Sequence, residues 1–392
     1  LDIIAALELQ VTGSAAVDIG GGALVATVTG VELNLATMTV TDGVTTLTGA
    51  DVLSFTGTAA LFAGTGGSLN GAHTVVNNGT IGFAVSGVTL SLVMAKGALG
   101  DGANAGDTYV GVSVALTDAE LIGVSGLELY ASGTLKVNAA TDGITTLDLP
   151  TRMNWTLATA DANDPSFLLT NLDIIAALEL QVTGSAAVDA FGFFVVTVSG
   201  FEMTMATADI NSGNAALGTL AGASLVSISL AGLDAFAGVG GSLSSASASA
   251  SVVTSGALGF EISGGSVAVS IVKPGGLAAG DLTSYTGFEI GLDGAQLLGV
   301  DGLTFIASGS VLINKSTDAA GLDSAQRIDW FEATSLTSDP GNLIPAFSAS
   351  LTDAVALQID GSAALDVFGS VVGTASFSIV QGTQTIGTGN PL

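Results

Sequence analysis

Along most of this chain apolar and polar residues take turns. Leu7, Leu9 and Val11 alternate with Glu8, Gln10 and Thr12, and the same period of two runs through Val31-Glu32-Leu33-Asn34-Leu35 and Leu127-Glu128-Leu129. Successive side chains of a strand point to opposite faces, so this pattern predicts half-buried strands, with the apolar set turned to a core and Glu, Asn and Lys turned to water. Threonine, valine and isoleucine are plentiful and suit a pleated surface. Asp42-Gly43, Asn78-Gly79, Asp101-Gly102 and Asp142-Gly143 punctuate the strands as turns. The opening segment from Asp2 to Leu9 has some helix propensity, but its continuation alternates, so it too reads as strand.

The pattern is also repeated at long range. Residues 1–18 read LDIIAALELQVTGSAAVD, and residues 172–189 read the same eighteen letters. Phe62 to Leu69 recurs as Phe236 to Leu243, Leu121 to Leu127 as Leu297 to Leu303, and Arg152 with Trp155 as Arg327 with Trp330. The organisation expected is a first copy over 1–171, a second over 172–350 and a partial third over 351–392. Within the second copy, glycines fall at 184, 200, 232, 264, 294 and 309, at intervals close to multiples of sixteen. The first copy keeps the beat at Gly13, Gly30, Gly57, Gly87, Asp118 and Gly133. We read the beat as the corners of coils of about 30 residues, and expect an all-β, β-solenoid-like stack of strands, with tandem β-sandwich-like domains as the alternative. A barrel is less favoured, because outer-membrane barrels carry aromatic girdles and only 5% of this chain is aromatic.

Composition narrows the role. Thirty-four acidic residues against 6 basic ones give a net charge of −28 on 392 residues, and 48% of the chain is hydrophobic. This favours a folded or assembled protein over disorder, and argues against nucleic acid as a partner, since six bases do not neutralise a phosphate backbone. The absence of cysteine excludes disulfides and thiolate chemistry and fits a secreted bacterial protein. No apolar run is long enough for a spanning helix. The first residues, Leu1-Asp2-Ile3, bring no basic leader, from which a processed or longer parent chain is expected.

Candidate chemistry is sparse. His73 is the single histidine, and the aligned stretch Ser247 to Ala250 of the second copy has none, so it reads as an exposed loop residue. Glu8, Glu32, Glu120 and Glu128 lie on or beside the polar faces of alternating strands, which makes solvation the simpler account than paired acid-base catalysis. Gly64 to Gly67 and Gly238 to Gly241 lack the following helix and lysine of a phosphate loop and read as turns. Oxygen ligands clustered in Asp, Asn and Gly turns suit calcium, and Asp101, Asn104 and Asp107, with Asp161 and Asp164, are its candidate ligands, although their spacing is not that of an EF-hand. No other cofactor is expected. Arg152, Trp155, Arg327 and Trp330 are candidate interface residues, with an Arg capping acidic neighbours beside a packed Trp as the simpler reading.

The repeated LDIIAALELQVTGSAAVD block and the stretch from Gly299 to Asn314 resemble the tandem units of very long bacterial surface or secreted repeat proteins of adhesin type. That resemblance implies an extracellular, elongated, non-enzymatic polypeptide and carries over no site residue; the Gly-Gly-x-Gly-x-Asp nonapeptide of calcium-binding toxin repeats is missing. The expected role is a structural or adhesive component of an extracellular filament, self-associating head to tail or through further covalent repeats. The alternative is a glycan- or calcium-binding adhesin module on the same scaffold. Because Leu1 starts inside the repeat pattern and Phe377 to Val380 still alternates, both ends are expected to be occupied by further repeats or by neighbours.

Overall fold

The computed structural model describes residues 7–143, 150–160, 169, 172–335 and 342–382. Among these the chain is all-β, with no α-helix and one short 3-10 turn at Gly102–Asn104. Two compact units divide it, one comprising Leu1–Phe191 with Ser245–Ala250, the other Gly192–Ser244 with Ser251–Leu392.

The first unit contains β1 (Leu7–Ile19), β2 (Leu24–Thr41), β3 (Thr46–Thr65), β4 (Ser68–Leu69), β5 (Val76–Asn77), β6 (Ile81–Lys96), β7 (Thr108–Ile122), β8 (Leu127–Thr141), β9 (Thr159–Ala160) and β10 (Leu178–Ala190). Its long strands pair antiparallel in the order β1-β2-β3-β6-β7-β8-β10. β4 and β5 form a small hairpin, and β9 adds to one end of β2. The second unit contains β11 (Phe194–Asn211), β12 (Thr219–Val239), β13 (Ser242–Leu243), β14 (Val252–Val253), β15 (Leu258–Lys273), β16 (Ser284–Leu298), β17 (Leu303–Thr317), β18 (Val355–Val367) and β19 (Val371–Gly382). Its long strands run β11-β12-β15-β16-β17-β18-β19, again antiparallel, with β13 and β14 as the small hairpin.

Consecutive antiparallel pairing changes the meaning of the sixteen-residue beat. It is one long strand with its turn, and the 30-residue unit is a hairpin, whereas coils of a solenoid would stack like strands in parallel. Nor do the glycines mark corners. Gly30, Gly57, Gly87 and Gly133 lie mid-strand in β2, β3, β6 and β8, as do Gly232, Gly264, Gly294 and Gly309 in β12, β15, β16 and β17. Register shifts accompany them between Thr29 and Glu32, Leu116 and Ala119, Leu230 and Leu233, and Leu292 and Ala295. Strands of 15 to 21 residues far exceed the usual ~5–6. A line of bulges and glycines lets such strands bend halfway.

The two faces of each sheet differ along their length. On β3, Ala50, Val52, Ser54 and Phe62 are buried on one face, here termed the covered face. At one end it packs under the segment after β8, where Met38, Val40, Leu47, Val93, Tyr109, Met153, Trp155, Leu172 and Ile174 form one cluster. At the other end Phe62 and Val25 are buried, and in the second unit Phe236 and Val195 cluster with Ala257, beside Leu243 of β13 and Val252 of β14. Between these ends the covered face is polar: Thr56, Ser91, Ser113, Lys136 and Gln181 align across β3, β6, β7, β8 and β10.

The opposite, open face carries the apolar set. In the second unit Phe201, Leu230, Val267, Ile290, Val311, Ile359 and Ile379 form one cross-strand row. In the first, Val11, Leu33, Phe55, Leu92, Val112, Val137 and Leu180 do the same. This overturns the expectation that the alternating apolar residues would face the core: Leu9 and Val11 are 46% and 44% exposed. The period of two is right, but the protein buries the other face, because the described residues of the segment after β8 and of the small hairpins pack there.

Candidate functional site

The most repeated local structure is built around the two tryptophans. Trp155 and Trp330 are buried in their respective units. Each indole N–H donates to an asparagine carbonyl oxygen, Trp155 Nε1 to Asn138 Oδ1 at 3.1 Å and Trp330 Nε1 to Asn314 Oδ1 at 3.0 Å. Each asparagine amide donates twice in turn: Asn138 Nδ2 to the carbonyls of Met153 at 2.9 Å and Ile175 at 3.1 Å, Asn314 Nδ2 to those of Ile328 at 2.8 Å and Thr352 at 2.9 Å. One strand away a glycine makes room for the ring, since a Cβ on Gly111 would lie 2.6 Å from Trp155 Nε1 and one on Gly287 2.6 Å from Trp330 Cδ2. Asparagine and glycine were not singled out by sequence; the signal was there, as Asn138 and Asn314 stand at matching places in the two copies.

An arginine precedes each tryptophan by three residues. Arg152 donates to the carbonyls of Ala176 and Ala177 and pairs with Glu179 at 2.9 Å. Arg327 offers its own carbonyl to Asn214 Nδ2 at 2.8 Å. Trp155 and Trp330 therefore hold the segment after β8, and the one after β17, onto the sheet, with both rings buried within the chain.

The calcium candidates serve the backbone where they are described. Asp101 accepts from the Thr48 amide at 3.1 Å, Asn104 Nδ2 donates to the Thr46 carbonyl at 3.1 Å, and buried Asp107 accepts from the Gly143 amide at 3.1 Å. Asp161 and Asp164 lie outside the described residues. Among the described residues no group of three or more His, Asp or Glu side chains is placed to hold a metal ion. Beside this loop, burial first, then the charge and hydrogen bond of Asp107, and then Asp42 and Asp101 push the Tyr109 hydroxyl up to about 12.

His73 sits exposed in the turn of the β4–β5 hairpin with a φ of 55°. Glu32 accepts from Asn34 Nδ2 at 3.1 Å on the covered face. The glycine run ending at Gly67 closes over Phe62, and that ending at Gly241 over Phe236, with a Cβ at either meeting the ring at 2.4 and 2.3 Å.

A cavity of about 450 Å³ opens on the covered face, lined among others by Thr27, Thr58, Ser86, Asp118, Glu120 and Tyr130. Glu120 and Tyr130 are cross-strand partners. Burial, followed by the charges of Glu128 and Glu120, raises the Tyr130 hydroxyl above its ordinary value. The corresponding pair in the second unit is Gln296 and Ile306. Gln296 there donates to Glu261. Hydroxyls, two carboxylates and one phenol can form hydrogen bonds with a polyhydroxylated ligand.

Set beside known proteins, the chain matches no family model, no curated protein and no solved structure.

Proposed function

We propose that this protein is a structural, non-catalytic component of an extracellular filament or surface fibre, in which β-repeats continue strand to strand. The observation that carries the reading is that the joint from one repeat to the next is made twice in the same way. β10 opens the second sequence copy yet pairs with β8, and β18 opens the third yet pairs with β17. In both joints glycine faces glycine, Gly133 with Gly184 and Gly309 with Gly361, and a serine pair bonds beside it, Ser132 with Ser185 at 3.0 Å and Ser308 with Ser362 at 2.8 Å. A Cβ on Gly133 would lie 2.3 Å from the Thr183 carbonyl oxygen, and one on Gly309 2.5 Å from that of Asp360, so the joint demands glycine. Compact units thus divide at Phe191, one strand beyond the sequence boundary at 171.

Among the described residues β1 and β19 each pair along one side only, and an unpaired ladder is a template for another strand. Contacts of this head-to-tail kind build fibres wherever successive copies do not close into a ring. The test is sedimentation and negative-stain microscopy of the 392-residue chain across a concentration series, beside Ser376→Lys, which places a charge on the covered face of β19. Fibres or ladders of mass that shorten in Ser376→Lys are expected; compact particles of one chain at every concentration would overturn the reading.

The cavity at Asp118, Glu120 and Tyr130 favours a second reading, a glycan-binding adhesin module on the same scaffold. Oligosaccharide array binding lost in Glu120→Gln and Tyr130→Phe is its test, and an array without signal refutes it.

A further inference from the structure

We infer that the open face of the sheet is an interface between copies of this chain, each copy laying its apolar rows against those of the other as two layers of a sandwich. Among residues whose side chains are described, the open-face positions of the second unit carry charge only at the strand ends, at Asp209, Lys273 and Lys315, and those of the first only at Asp51 and Lys96. Between them the surface is aliphatic and aromatic, and much of it is open: Phe260 is 52% exposed, Phe377 57% and Ile290 39%. An antiparallel sheet ordinarily wets one face and packs the other. Here the covered face already carries the polar, wettable middle, so the open face is the one that lacks its second layer.

The area suits a second copy. Seven strands about 4.8 Å apart and about eleven residues tall, at about 3.3 Å each, present roughly 1,000 Å² from the second unit alone. A stable interface needs about 800 Å² per partner. The rim also fits, since an apolar centre bounded by Lys273, Lys315 and Asp209 has the anatomy of a protein interface. The charge of −28 is no obstacle, because the described acids lie on the covered face, in the turns and at the rim, and at physiological salt charges are screened beyond about 8 Å. A bilayer suits the face less well. The described tryptophans and tyrosines sit on the covered side, leaving no Trp or Tyr belt on the open one, and unpaired strand edges are not tolerated in hydrocarbon.

This pairing is lateral and independent of end-to-end growth, so it is tested in the Ser376→Lys background. Sedimentation equilibrium should show mass doubling with concentration, and Ile290→Lys should return it to one chain. Because the lysine variant could unfold, a cysteine is also placed at Ile290 in this cysteine-free chain, with Leu99→Cys in an exposed turn as control. Thiol labelling of Ile290→Cys should slow as protein concentration rises while that of Leu99→Cys stays constant. A chain that remains monomeric throughout, or an association that Ile290→Lys leaves intact, overturns the proposal. Flotation with phosphatidylcholine vesicles in place of self-association would assign the face to lipid and overturn it equally.

Discussion

Replacing Asn138 by leucine isolates what holds the segment after β8 onto the sheet. Leucine is close to asparagine in size, so the change removes hydrogen bonds while leaving little void. Three are lost: one from Trp155 Nε1 and two to the carbonyls of Met153 and Ile175. A buried donor left unpaired costs about 1–3 kcal/mol, and each carbonyl that loses its donor adds about 0.5–1.5 kcal/mol. Gains from burying leucine offset part of this, leaving an expected loss of about 3 kcal/mol. With a urea slope of about 2–3 kcal/mol/M, the midpoint of the first unit should fall by about 1 M. Fluorescence in a Trp330→Phe background reports Trp155 alone and follows Asn138→Leu, and a double-mutant cycle of Asn138→Leu with Trp155→Phe is read by far-ultraviolet circular dichroism, which needs no tryptophan. Residues in one hydrogen-bond network couple by about 0.5–3 kcal/mol. A midpoint that barely moves, or singles that simply add, would show that the clasp is geometry without energetic weight.

Gly111→Ala and Gly287→Ala should each destabilise by about 1–3 kcal/mol through overpacking against the indole, measurable as a lowered urea midpoint. Asp173→Asn should change stability by less than about 0.5 kcal/mol, because its 2.9 Å pair with Lys136 leaves the aspartate side chain 79% exposed; a large loss in urea unfolding would contradict this. Tyr109, raised from 10.0 to about 12, is favoured in its neutral form by the fold. Its contribution is therefore fully present below the unfolded value of 10.0 and is lost as pH climbs towards about 12, so ultraviolet titration should show Tyr109 ionising late and Tyr109→Phe should flatten the alkaline fall in stability. Phe236→Ala should cost about 3–5 kcal/mol by opening a cavity under Gly241, read as a lower midpoint of the second unit.

The sequence by itself determined the strand content, the repeat and the two-faced character of every strand. These are local properties: alternation fixes which residues share a face, and the duplicated block fixes that the same hairpins recur. The arginine and tryptophan pairs were also legible as repeated structural points. Three matters were decided by tertiary structure. Glycine spacing is the same whether glycines turn corners or bend long strands, and only the register of neighbouring strands, with shifts beside Gly30 and Gly294, places them mid-strand. Alternation does not say which face is buried, because Glu32, Asn34, Ala36 and Met38 lie on one side of β2 and are exposed at one end and buried at the other; the segment held by Trp155 decides that. The cavity at Glu120 and Tyr130 joins residues from several strands, and the loss of its acid–phenol pair in the second copy becomes visible only once Gln296 and Ile306 are seen as the same cross-strand pair.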